Sequence, residues 1–392
     1  MEDAYALNRE KIVQAKLILA QSGIDCWIVK TKEGSDPCMP LMFGLTISGD
    51  AALIVTPKTT IAITSSIDAH DVVSSGLFEQ VITYTRTGFG EQLYTLIERL
   101  DPKRIAVNYS MENHLSDGLT VGSYRALKNM LGSTYATRLE SSEQFLQKLR
   151  SIKSPKEVEY IQKAIDITLE IYDEVFAQVR KGMTEIEIGQ LFVDGMIKRG
   201  VVNGITRKLT PPIVMNHNIA HRGPGNSVLK EGDYLIFDFS VDYKGYCSDI
   251  ARTCYVLREG ETSASPQMQR AFETIYEAIN RALAALKPGA VGTDVDRCAR
   301  QHILDCGYQD IFHAVGHQVG RDVHDGGTLL GPIKKRYKNA SLGVVEEGMV
   351  FAIEPTILYE QGPAIISEEN ALVTADGAVL LSKRQESLVL IH

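Results

Sequence analysis

The chain has 392 residues, of which 44% are apolar and 23% charged, a globular balance with length enough for two ordinary domains. Its formal net charge of −8 argues against nucleic acid or an anionic membrane as the main partner. No apolar run approaches the ~18–20 residues of a membrane span, the acidic start Met1-Glu2-Asp3 lacks a signal-peptide layout, and the six cysteines form no CxxC pair, so a reducing cytoplasm is the expected compartment.

Residues 1–150 alternate helical patterns with short β-rich runs, which predicts an α/β domain. The runs are Ile24–Val29, Ala51–Val55, Thr60–Thr64 and Arg104–Asn108, and helices are expected near 7–22, 90–100 and 119–131. Gly88-Phe-Gly90 lacks the third glycine and the preceding strand of a phosphate-cradling loop, and is expected to be an ordinary loop.

A domain junction is expected at Lys153-Ser154-Pro155, so that residues 151–392 form a second domain. Ser154 suits an N-cap and Pro155 the first helical turn. Apolar residues at Val158, Ile161, Ile165, Leu169, Tyr172, Phe176 and Val179 give the helix one buried face. Thr184 and Glu187 form a capping-box pattern that opens a second helix, ending near Gly200. A hairpin follows, Tyr234–Asp238 and Tyr246–Val256, turned around Gly245. The same order then recurs: a helix from Ser265-Pro266 to Lys287, a second from Thr293 to near Gly307, and a hairpin of Met349–Glu354 and Ala364–Val373 turned at Gln361-Gly362-Pro363. Helix, helix, hairpin twice over predicts an internal duplication.

The chemistry concentrates on the hairpins. Asp238 ends an apolar run, where an uncompensated carboxylate is costly. The midpoint between Asp238 and Asp249 falls in the turn, which predicts that the two face each other on paired strands. Glu354 and Glu368 repeat the arrangement around Gln361. Four carboxylates brought together repel, and bound metal is the simplest compensation. His313, His317 and His324 lie within 12 residues, and Gly316 and Gly320 argue against a helical zinc-protease motif there. Oxygen-rich sites with one imidazole suit Mn²⁺, Co²⁺, Fe²⁺ or Zn²⁺ in a shared two-metal site.

Taken together these motifs resemble the pita-bread metallopeptidases, the family of methionine aminopeptidase, aminopeptidase P, prolidase and creatinase. The resemblance covers residues ~150–392 and rests on Lys230–Asp238, Gly245–Thr253, Gly316-His317-Gln-Val-Gly320, Val323-His324-Asp325, Gly348–Pro355 and Glu368 before Leu372-Val-Thr374. The first 150 residues and the junction look like the aminopeptidase P, prolidase and creatinase branch. The resemblance implies an α+β chain, with a pita-bread catalytic domain behind an α/β creatinase-like domain, acting as a homodimer. It implies two divalent ions, manganese foremost, held by Asp238, Asp249, His317, Glu354 and Glu368. By the same resemblance Glu368 would bridge the ions and Glu354 would also shuttle protons, while His221 and His324 would act in catalysis and, together with His313, contact substrate.

Three positions depart from the family. Ser240 stands where glycine is usual, Ile366 where Xaa-Pro peptidases carry arginine, and Asp325-Gly-Gly-Thr where a proline is common. The expected reaction is hydrolysis of an amide before proline in a short peptide. Two rivals remain open: hydrolysis of a small non-peptide C–N bond, as creatinase-type relatives perform, and a non-catalytic peptide-binding scaffold. An Ile366→Arg change is expected to improve dipeptide binding if the pocket is otherwise peptidase-like.

Overall fold

The computed structural model describes residues 3–85, 88–216, 222–357 and 364–392. The chain divides into two compact units, Met1–Arg150 and Ser151–His392.

In the first unit the strand order is Gln80–Tyr84, Thr60–Ser65, Ala51–Val55, Cys26–Thr31, Ile105–Val107, Leu139–Ser141. Ala51–Val55 runs antiparallel to both neighbours and the other pairs are parallel. The three strands in the middle of that order up to Cys26–Thr31 are buried residue after residue. That explains their unbroken apolar runs: both faces are covered, so nothing selects for alternation. Ala6–Ser22 packs Ile12, Ile18 and Leu19 against Trp27 and Val29, and ends at Gly23 with φ 65°. Leu93 and Ile97 of Phe89–Leu100 and Leu127 and Leu131 of Val121–Ala136 pack with Ile28 on the other side. Two expectations need correction. Phe89 and Gly90 lie inside a helix capped by Gly88, not in a loop. The helix expected to stop at 131 breaks at Gly132 (φ 65°, ψ 175°) and runs on to Ala136.

The second unit opens on Pro155–Phe176. Ser154 Oγ accepts the Glu157 N–H, and the Glu157 carboxylate accepts the Ser154 N–H in return. Glu157 also accepts the Tyr246 hydroxyl at 2.8 Å, so the cap fixes the helix start to the tip of the first hairpin. Glu185–Arg199 has the same reciprocal cap at Thr184 and Glu187, and closes on Gly200 with φ 65°. Tyr172 and Phe192 of these helices pack on Phe237 and Phe239 with ring centroids 4.9–6.1 Å apart. In the second half, Ser265 caps Pro266–Ala285. The next helix, Gly292–Asp305, starts before Thr293, and no side chain caps it. Packing sets that start, because a Cβ on Gly292 would lie 2.2 Å from the Leu329 carbonyl oxygen.

Each helix pair is followed by three antiparallel strands. Tyr234–Phe239 lies between Ile213–Asn216 and Ile250–Val256. Val350–Ile353 lies between Gly316–Gln318 and Glu369–Thr374. The repeated order read in the sequence is therefore a repeated substructure, with Asp238 in the middle strand of the first three and Glu354 directly after the middle strand of the second.

The cap at Ser154 gives the first prediction. Ser154→Ala removes one reciprocal bond of the capping box and is expected to cost about 1 kcal/mol. Urea denaturation followed by circular dichroism should show a lowered midpoint, and an unchanged one would contradict the reading.

Candidate metal centre

The first hairpin keeps one register from Tyr234 opposite Tyr255 to Tyr243 opposite Tyr246. Its turn is Lys244-Gly245, with φ 51° and 82°, the left-handed pair that matches strand twist in a tight hairpin. Asp238 therefore faces Ala251, and Asp249 lies two residues nearer the turn. The two acids, expected roughly opposite each other on paired strands, stand on a diagonal. Strand alternation still sends both side chains to one face. Pairing pauses at Ser240, whose hydroxyl donates to the Ser248 carbonyl at 2.5 Å across the kink. The serine fits because a glycine lies behind it: a Cβ on Gly204 would stand 2.0 Å from Ser240 Oγ.

In the second hairpin, Ile353 pairs with Glu369 and Thr356 with Ile366, so the same register sets Glu354 across from Glu368. The turn expected at Gln361-Gly362-Pro363 lies outside the described residues.

Hydrogen bonds join the hairpins. The Glu368 N–H donates at 3.1 Å to the carbonyl of Ala251, the residue that Asp238 faces. Asn370 grips the Asp249 backbone twice: its Oδ1 accepts the Asp249 N–H at 3.1 Å and its Nδ2 donates to the Asp249 carbonyl at 2.7 Å. Arg252 donates to the Glu368 carbonyl at 2.7 Å and pairs with the buried Glu369 carboxylate at 3.2 Å. A third strand brings the imidazole, since His317 pairs with Ala352 and the Glu354 N–H donates to the Val315 carbonyl at 2.7 Å.

The side chains converge. His317 Nε2 is 3.4 Å from Asp249 Oδ2 and 3.6 Å from Glu354 Oε1. Ligand-type atoms of Asp249, His317 and Glu368 all lie within 4.8 Å of one another, and all three residues are buried. His317 Nδ1 is 3.2 Å from the Gln318 carbonyl oxygen. Donation there leaves the Nε2 lone pair facing the acids, the tautomer a metal ligand requires.

Electrostatics strain this group. Burial pushes the Asp249 carboxyl well above the usual carboxylate range, and the Asp238 charge adds to it. Burial also raises Glu354, reinforced by Glu368, Asp249 and Asp238. For Glu368, burial and the Asp249 and Asp238 charges outweigh the help of Arg252. Burial lowers His317 below the usual imidazole range. Asp249 Oδ1 is buried and finds no hydrogen-bond donor among the described residues. An oxygen-rich donor set with one imidazole, raised carboxyl pKa values and an orphaned buried oxygen fits divalent cations.

The other expected site residues divide. His324 is exposed, and its ring centroid is 4.4 Å from that of His317. His313 is not in the group that could share an ion; its Nδ1 approaches the Ala314 carbonyl at 2.6 Å. His221 lies outside the described residues. Ile366 is buried against Ile236, Ala251 and Ala364, a small apolar cluster beside Asp238 and Glu368. Sequence reasoning missed Arg252 and Asn370 as supports. Their signal was polarity at interior positions of apolar strands, which marks a committed hydrogen-bond partner.

A model of metallopeptidase family M24 matches residues 159–375. The chain is similar to an Xaa-Pro dipeptidase of Pyrococcus furiosus, 28% identical over 271 residues, covering 68% of this chain and 73% of that one. Among solved structures it resembles an Xaa-Pro dipeptidase from Bacillus anthracis, with a TM-score of 0.77 at 23% identity, covering 98% of this chain and 100% of that chain. It also resembles an X-Pro aminopeptidase from Thermotoga maritima, with a TM-score of 0.75 at 25% identity, covering 94% and 98%. The fold is thus the mixed α/β, pita-bread arrangement of these proteins.

The crowded carboxyls generate the second prediction. A carboxyl with a raised folded pKa holds more protons folded than unfolded, so metal-free stability falls as pH rises from the ordinary carboxylate range toward the raised values. The lowered pKa of His317 acts oppositely, favouring the folded state as pH rises, and is common to wild type and variant. In chelator-treated protein, Glu368→Gln should raise the thermal midpoint at pH 8, by about 2–4 °C for each kcal/mol of repulsion relieved. The gap should close toward pH 5. A midpoint at pH 8 no higher than that of wild type would count against the electrostatic reading.

Proposed function

The chain belongs to metallopeptidase family M24, and from its site we propose that it hydrolyses an amide bond with two divalent metal ions held by Asp238, Asp249, His317, Glu354 and Glu368. The observation that carries the reading is the convergence of His317 Nε2 on Asp249 and Glu354 within a buried acid cluster. Manganese is the leading metal, with cobalt, zinc and iron also suited to the donors.

Such ions, when bound, supply water activation near neutral pH and charge stabilisation at an acyl oxygen. The chain's residues supply the rest. Asp249 and Glu368 are buried to 4% and 2% exposure and act as fixed anchors. Glu354 keeps 23% of its side-chain surface accessible, which suits it to take a proton and return it to the leaving nitrogen. His324 is assigned the hydrogen bond to the developing oxyanion, a reading supported by its exposure beside His317. His221 is assigned substrate positioning by the family resemblance alone.

The proposed substrate is a short peptide with proline in the second position. The names of the similar proteins support this. Proline's tertiary amide has no N–H to satisfy, so its recognition needs shape more than an acceptor. Ile366 bears on the choice. It packs in a closed apolar cluster at 6% exposure, so a guanidinium there would be buried among Ile236, Ala251 and Ala364. Ile366→Arg is therefore expected to cost stability rather than simply improve dipeptide binding, and a longer peptide is the favoured substrate over a bare dipeptide. The rival, a small non-peptide amide, belongs in the same assay.

Three outcomes test the proposal. The metal-loaded enzyme should cleave Xaa-Pro peptides of three or more residues with higher kcat/KM than Xaa-Pro dipeptides; turnover of a small non-peptide amide alone would replace the peptidase reading. Asp249→Ala should abolish metal uptake and activity together. His324→Ala should retain metal, measured by elemental analysis, and lose roughly 10²–10³-fold in kcat. Loss of metal in His324→Ala would refute its assignment to the substrate side.

A further inference from the structure

Lys153 and Asp325 are far apart in sequence and nearly inaccessible, with 1% and 3% side-chain exposure, and they form an ion pair at 3.2 Å. Neither has a place in the proposed chemistry. Lys153 stands just before the first long helix, and its backbone N–H donates to the Gly348 carbonyl at 2.9 Å, next to the strand that leads to Glu354. Asp325 directly follows His324.

The chain between His317 and Asp325 makes a tight return. The Asp325 N–H donates to the Gln318 carbonyl at 3.0 Å, the same oxygen that His317 Nδ1 approaches at 3.2 Å. The Gly320 N–H donates to the Asp322 carbonyl at 3.1 Å, and the Gly320 carbonyl accepts the Cys247 N–H at 2.8 Å. Only glycine suits position 320, since a Cβ would lie 2.2 Å from Asp325 Oδ2 and 2.9 Å from Lys153 Cε. The backbone is thus shaped around the ion pair. Asp325 is held by its amide to Gln318 and by its carboxylate to Lys153 and to the Asp322 N–H, and His324 immediately precedes it.

A buried ion pair is a poor source of stability. Desolvation offsets much of its attraction, and an apolar pair of similar volume often serves as well or better. Its distinguishing property is direction: an ammonium and a carboxylate fix a distance that apolar contact leaves loose. We propose that Lys153 and Asp325 are positioning residues, which hold the return after His317 so that the His324 imidazole stays beside His317 and the acid cluster. The proposal rests on the role given to His324 above for its catalytic consequence, but its structural content can be tested separately.

The test uses full-length protein loaded with Zn²⁺ and the variants Lys153→Arg, Asp325→Asn and the double variant Lys153→Met/Asp325→Leu. The double variant removes both buried charges, so it is expected to stay folded where a single change strands one charge. Histidine side-chain NMR reads geometry directly, with the His324 signal identified by its loss in His324→Gln. In the double variant and in Asp325→Asn that signal should shift or broaden, while those of His70 and His114, which belong to the first unit, hold still and metal content is unchanged. With a peptide substrate, kcat should fall by up to ~10²-fold with KM little altered. Adding His324→Ala should bring no further loss, because both changes act through one ring. Lys153→Arg should keep most activity. An unmoved His324 signal in a folded double variant, or kcat losses that multiply with those of His324→Ala, overturns the proposal. A moved signal in a protein that cleaves no amide upholds the positioning pair and sinks the proposed function instead.

Discussion

Mutual repulsion among Asp238, Asp249, Glu354 and Glu368 is the constraint on which the rest of this structure turns. Burial raises the Asp249, Glu354 and Glu368 carboxyls, the Asp238 charge raises all three further, and Asp249 adds to the rise at Glu354 and Glu368. In water such groups separate or stay hydrated. Here backbone pairing holds them at one place, and the orphaned Asp249 Oδ1 shows that protein donors do not satisfy them all. A cluster this costly persists when something that favours negative oxygen occupies it, and divalent cations do so with the fewest further assumptions.

The scaffold answers that repulsion in layers. Each half contributes one strand pair, and the register of each pair is set by backbone hydrogen bonds that no change of side-chain protonation disturbs. Where strand pairing ends, side chains take over as backbone substitutes. Asn370 offers an amide to the Asp249 peptide as a neighbouring strand would. Arg252 ties the Glu368 carbonyl and the Glu369 carboxylate to the first hairpin and places one positive charge behind the acids. Helix caps at Ser154 and Thr184 and the aromatic contacts of Tyr172 and Phe192 then fix the first pair of helices and the hairpin packed on them. Rigidity is the common product, and rigidity lets a site keep charges close without letting them drift apart.

Much of this was legible before any coordinates. Both capping boxes announce themselves by spacing, because Ser or Thr followed three residues later by Glu has one strong local use. Gly316 and Gly320 argued against a helix at His317, and the residue lies in a strand. Hairpin symmetry located the acids to within two residues. The centre of pairing lies one position beyond the midpoint of Asp238 and Asp249, because the turn is Lys244-Gly245. The helix start at Gly292 and the break at Gly132 escaped because tertiary approach and a single backbone dihedral decided them, not a local pattern. Arg252, Asn370, Lys153 and Asp325 escaped as supports for a like reason: their partners are over 100 residues away, and no spacing rule reaches that far.

The central claim is that this acid cluster is built for two cations, and metal stoichiometry addresses it most directly. Protein stripped with a chelator, dialysed against Mn²⁺, Co²⁺ or Zn²⁺ in turn and measured by elemental analysis should regain about two ions per chain, with Asp249→Ala regaining fewer. No ion retained by the folded wild-type chain at saturating concentrations of all three metals would contradict the account.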